Sequence, residues 1–122
     1  MGELRERKDC GGMLTFNLKK EWFEKIKSGE KTHEYREYKP YWRKRLEKCI
    51  GYDFSAIRLR FGNPVVIEYP HYITFVCGYA SKEDKNKRLK ARLISIRLVD
   101  GRETDLHINK PVYDIKFELI KE

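Results

Sequence analysis

Apolar residues in this chain recur at two periods, and the switches between them limit the folds open to it. Trp22, Phe23 and Ile26 fall on one side of a helix, and Tyr41, Trp42, Leu46 and Ile50 recur at the same helical spacing. Elsewhere the pattern is alternation. Ile57, Leu59 and Phe61 are set against Arg58 and Arg60, Leu89 to Val99 alternates imperfectly, and Phe117 and Leu119 oppose Glu118. Many short strands with two helices on one side argue for an α+β fold built on a mixed barrel.

Local signals place the boundaries. Asn17 can cap the first helix. Lys25 and Lys27 fall in its last turn, at the negative end of the helix dipole, and Gly29 suits the left-handed residue that ends it. Thr32 to Tyr38 then reads as a strand. In an extended chain Thr32, Glu34 and Arg36 share one face, while Lys31, His33, Tyr35 and Glu37 share the other. Pro40 breaks this strand and stands near the first position of a second helix, residues 40 to 49. Gly62-Asn63-Pro64 marks a turn, and Val65 to Tyr69 and Tyr72 to Tyr79 are β-prone on either side of Pro70. Ser81 to Lys90 is charged and polar. Asp100-Gly101 is a hairpin signal that predicts a next strand over Glu103 to Ile108, and Val112 to Leu119 closes the chain. Residues 1–12, without apolar period, read as a flexible tail, with Met13 opening the first strand of a single domain over 13–122.

Composition bounds the partners. A chain of 122 residues is one domain, with a formal charge of +8 and a pI near 9.4. That charge favours polyanions through attraction and counterion release, although a solvated basic surface would look the same. Cys10, Cys49 and Cys77 are odd in number and widely spaced, which excludes a zinc-ligand pattern and suits reduced thiols. No apolar run approaches the ~20 residues of a membrane span, and the charged N-terminal stretch has no signal-peptide core. A cytoplasmic protein is expected, with no metal and no cofactor.

The stretch Ser28-Gly29-Glu30-Lys31-Thr32-His33-Glu34-Tyr35-Arg36 concentrates anion-binding and proton-active side chains just after a helix. Together with Leu14-Thr15-Phe16-Asn17-Leu18, Glu21-Trp22-Phe23 and Ile26, it resembles the start of an ASCH domain, a member of the PUA-like superfamily. The resemblance covers roughly a quarter of the chain closely. It implies a PUA-like mixed β-barrel of about six strands with two or three flanking helices. It also implies a cleft beside the Lys-Thr-x-Glu-x-Arg strand and RNA, nucleotides or modified nucleosides as ligands. The acetylcytidine-hydrolysing branch of the family implies a hydroxyl residue three positions after the motif lysine. Here that position, three after Lys31, is Glu34.

Two function classes follow. One is a binding module in which Lys20, Lys31, Thr32, Glu34, Arg36 and Trp42 contact RNA or a nucleoside. Lys31 would hold a phosphate or polarise a base carbonyl, Glu34 and Arg36 could read a base edge or simply pair, and Trp42 could stack on a base or pack in the core. The other is a small hydrolase acting on RNA or modified nucleosides, ribonuclease-like or acetylcytidine-amidohydrolase-like. In it Glu34 is general base and Lys31 stabilises charge. Tyr35 reads as a core strand residue. His33, His71 and His107 show no triad partner or metal spacing and receive no role. A protein partner is the third class left open.

Overall fold

The computed structural model describes residues 14–51, 54, 61–81 and 83–120. The expected tail, Met13 and most of the Arg58/Arg60 alternation lie outside the described residues. The elements are β1 (Leu14–Leu18), α1 (Lys20–Lys27), β2 (His33–Glu37), α2 (Pro40–Ile50), β3 (Val65–Val66), β4 (Tyr72–Cys77), β5 (Arg88–Asp100) and β6 (Pro111–Leu119). The fold is α+β, as the two periods predict. A curled, mixed six-stranded sheet forms a half-barrel in the order β1-β4-β5-β6-β2, with β3 also paired to β5. No described helix is long and apolar enough to cross a membrane.

Helix α1 buries Phe23 and Ile26 and keeps Lys25 and Lys27 in its last turn. Gly29 follows at φ 88, a left-handed conformation that a Cβ disfavours. Asn17 does not cap this helix. It lies inside β1, whose parallel pairing with β4 runs on to Leu18 opposite Cys77, and Lys19 takes the cap position without a side-chain bond. Helix α2 starts at Pro40 and ends at Gly51, φ 80, with Leu46, Cys49 and Ile50 buried. Between the helices and the sheet, Phe16, Phe75 and Phe117 form a row of rings with centroid spacings of 5.8 and 4.7 Å.

The imperfect alternation in β5 has a structural cause. Its pairing with β6 shifts register between Leu93 and Ser95, a bulge that transfers the inward face from Ala91 and Leu93 to Ile96 and Leu98. Of the β-prone stretch Val65 to Tyr69, only Val65–Val66 is strand.

The strand predicted over Glu103 to Ile108 is absent. Asp100-Gly101 opens a ten-residue connection, beginning with a 3-10 turn at Gly101–Glu103, that leads into β6. The loop is stitched internally. The Asp100 side chain accepts from the Arg102 backbone, the Gly101 N–H donates to Lys110, and buried Thr104 donates its hydroxyl to the Gly101 carbonyl while accepting from the Leu106 N–H. Side-chain and backbone hydrogen bonds from Arg102 hold the Asp100 carboxyl below its ordinary value. These local bonds outcompete a two-residue hairpin.

Gly101 is required there by space. A Cβ would meet the Lys110 and Ile108 carbonyl oxygens at 2.6 and 2.7 Å. Gly101→Ala is expected to cost about 1–3 kcal/mol, as overpacking against backbone does. Denaturant unfolding checks this: the midpoint falls while the slope is unchanged.

Candidate functional site

Strands β1 and β2 stand at the two ends of the sheet order and do not pair with each other. Where they approach, the barrel stays open, and the seam forms a cleft of about 460 Å³. That volume suits a small ligand. Arg36 bridges the seam, its Nη2 donating to the Asn17 carbonyl at 3.5 Å. The walls are Trp22 from α1, Tyr35 from β2 and Trp42 from α2, and the ten-residue loop closes one side with Asp105, Leu106 and Ile108.

Glu34 and Arg36 share one face of β2, as the strand period requires, and that face is the inward one. Glu34 is only 5 % exposed. Its Oε2 accepts from Arg36 Nε at 2.8 Å and from Nη2 at 2.6 Å. Desolvation by burial pushes the Glu34 carboxyl above its ordinary value of 4.5, against the lowering pull of Arg36 and then Lys31. The Arg36 guanidinium sits 4.8 Å from the ring centroids of both Phe16 and Trp42. Arg36 is therefore fixed by a carboxylate, a carbonyl and two aromatic rings.

Lys31 is not part of the strand. Its backbone N–H donates to the Lys25 carbonyl in the turn that ends α1, so the alternation that set it on the opposite face from Glu34 does not apply. The side chain enters the cleft. Nζ is 3.8 Å from Glu34 Oε1, 4.8 Å from the Tyr35 ring centroid and 5.4 Å from that of Trp22, and it pairs with Asp105. Tyr35 is thus half-buried cleft wall rather than core. Burial is the main reason that its hydroxyl is held above the ordinary 10.0, with the Asp114 charge adding to it.

Trp42 is core-packed on one side and cleft-lining on the other, with its ring centroid 5.4 Å from that of Phe16. Tyr41 is exposed, edge-on to Trp42, with the Arg45 guanidinium 3.5 Å from its ring centroid. Lys20 is exposed as the first residue of α1 and does not line the cleft; Lys19 does. Thr32 is exposed at a neighbouring depression, and its carbonyl accepts from the Phe117 N–H.

Sequence reasoning missed Asp105, because the region was read as a strand, and Lys39, which lines the far side. It also left His33 without a partner. His33 Nδ1 is 2.5 Å from Asp114 Oδ1, across 81 positions of sequence that no spacing rule spans. Among the described residues no three His, Cys, Asp or Glu side chains converge to hold a metal.

No family model, curated protein or solved structure matches this chain.

Proposed function

We propose that this protein is an RNA-binding module of the ASCH, PUA-like type, holding one unstacked base or nucleotide in the open seam of its half-barrel. The observation that carries this reading is the joint presence, in one nucleotide-sized cleft, of aromatic walls, the Lys31 ammonium and a fixed Glu–Arg edge. Trp22, Tyr35 and Trp42 offer flat faces, and stacking on such faces is worth ~1–3 kcal/mol per base. Among the described residues Glu34 Oε1 accepts no hydrogen bond, with the Lys31 ammonium 3.8 Å away, so it can take a donor from a base edge. Single-stranded RNA presents such edges splayed from the stack, and duplex DNA does not.

Cations and carboxylates are nearly matched within the cleft: Lys19, Lys31, Arg36 and Lys39 against Glu34, Glu37 and Asp105. The excess positive charge therefore acts from outside, and exposed Lys20, Lys44 and Lys48 on the two flanking helices are placed to draw in a phosphate backbone. Binding over hydrolysis by Glu34 is favoured because both Arg36 donors occupy one oxygen of a carboxylate that is almost wholly buried.

The test is fluorescence anisotropy of a labelled single-stranded RNA at two salt concentrations. Lys31→Ala is expected to weaken binding about tenfold, the loss of one charge-assisted hydrogen bond of ~1.5 kcal/mol, and to reduce the salt slope by about one. Asp105→Asn acts in the opposite direction, because it frees Lys31 from its internal counter-ion, and affinity rises. Equal affinity of both variants and the wild type would remove the cleft from the account.

A further inference from the structure

His33, Tyr35, Asp114 and Arg97 form a second cluster, on the outward face of the same edge strand. Strand register places Tyr35 opposite Asp114 on β6 and Arg97 on β5 opposite the same Asp114. Asp114 is 2 % exposed, yet both of its oxygens are engaged: Oδ1 with His33 Nδ1 at 2.5 Å and Oδ2 with Arg97 Nε at 2.7 Å. Arg97 already supplies the counter-charge that a buried carboxylate needs. The histidine contact adds orientation. A carboxylate beside Arg97 can only accept, so in the neutral imidazole the His33 ring proton sits on Nδ1 and the lone pair on Nε2. Tyr35 stacks on the imidazole at a 6.3 Å centroid distance and 13° between planes, which holds the ring's tilt.

Among the described residues Nε2 has no hydrogen-bond partner, and the His33 side chain is 30 % exposed. It opens on a depression of about 270 Å³ that shares Trp22, Lys31, Tyr35 and Asp105 with the seam cleft. A strand of RNA with one base in the cleft would cross the edge at Lys31 and lay its next phosphodiester in this depression.

We propose that His33, oriented by Asp114, is the general base of a ribonuclease site on the outer side of β2, a reading that rests on RNA binding at the seam. Nε2 takes the proton of the ribose 2′-hydroxyl. The 2′-oxygen attacks the adjacent phosphorus, the bond from phosphorus to the 5′-oxygen breaks, and that oxygen leaves with a proton from water. The imidazolium returns its proton to solvent. The products are a 2′,3′-cyclic phosphate and a 5′-hydroxyl end. Lys31, common to both cavities, faces the negative charge that builds on the phosphoryl oxygens. The geometry is that of a base held by a third group, the same logic that orients histidine in hydrolytic triads. Asp114 is a positioning residue, since it reaches the reaction only through His33.

A short fluorescein-labelled single-stranded RNA is incubated with saturating full-length protein. Anisotropy reports binding, and gel separation reports cleavage in the same samples. Expected are cleavage with cyclic-phosphate ends, none on the all-2′-deoxy oligonucleotide, and a single-turnover rate at least about a hundredfold lower in His33→Ala. Added imidazole should restore part of that rate, which a structural role for His33 cannot explain. Asp114→Asn should lower the rate and shift the pH profile of cleavage, with Arg97, Tyr35, Lys116, Lys31 and Asp105 as the charged and titratable neighbours common to both proteins. RNA that is bound but left intact by the wild type overturns this inference and leaves the binding reading standing. So does cleavage by His33→Ala at the wild-type rate. RNA that is not bound at all overturns both.

Discussion

Arg36→Ala is expected to destabilise the protein by about 3–5 kcal/mol at neutral pH, because it strands the buried Glu34 carboxylate. Arg36 supplies both close donors to Glu34 Oε2, and Lys31 at 3.8 Å from the other oxygen is shared with Asp105. The loss also removes a guanidinium lodged between Phe16 and Trp42. The effect has a pH signature. Burial already raises the Glu34 carboxyl above 4.5, and taking Arg36 away raises it further. A carboxyl raised in the folded state contributes stability that is present below its unfolded value and lost as pH rises through its folded value. The deficit of Arg36→Ala is therefore smallest below pH 4.5, where only the lost packing remains, and grows towards neutrality. The double variant Glu34→Gln/Arg36→Met should recover most of the stability, because a neutral pair of similar volume needs no counter-charge. Urea unfolding of the three proteins at acid and neutral pH measures both signs.

Phe16→Ala is the second large effect, with an expected cost of about 3–5 kcal/mol. Phe16 is fully buried at the base of the seam, paired in register with Phe75 and packed on Trp42. Its removal leaves a cavity beneath the cleft and takes away one of the two rings that fix Arg36. Stability and ligand affinity should fall together. In Phe16→Leu, which refills most of the volume but not the ring face, thermal stability should recover more than affinity. Matched loss and matched recovery of the two properties would mean that Phe16 acts on the cleft only through global stability.

The elements that the sequence made legible are those whose signal is local. Pro40 and Gly29 mark helix ends because each has a backbone preference that holds in any fold. That Glu34 and Arg36 share a face follows from strand period, and the structure shows that face to be the inward one. What sequence could not supply depends on tertiary packing. Asp100-Gly101 has the residues of a tight turn, but Gly101 is there because Lys110 and Ile108 close over it, and that closure brings Asp105 to Lys31. The role of Lys31 depended on one hydrogen bond to Lys25 that keeps it out of the strand. The His33–Asp114 pair joins positions 81 residues apart through the pairing of β2 with β6. The break in β5 alternation was visible in the pattern, and only the sheet gives its meaning as a bulge.

The protein has two tryptophans, Trp22 and Trp42, and both line the seam cleft. Selectively excited tryptophan emission therefore reports on the cleft. The decisive measurement is a titration of the wild-type protein with single-stranded RNA, following tryptophan emission and RNA anisotropy together. The account predicts that emission is quenched along the same saturation curve as the anisotropy rise, because a base stacks against the indoles. Saturating anisotropy with unchanged tryptophan emission would contradict it, placing the RNA on the basic surface outside the cleft.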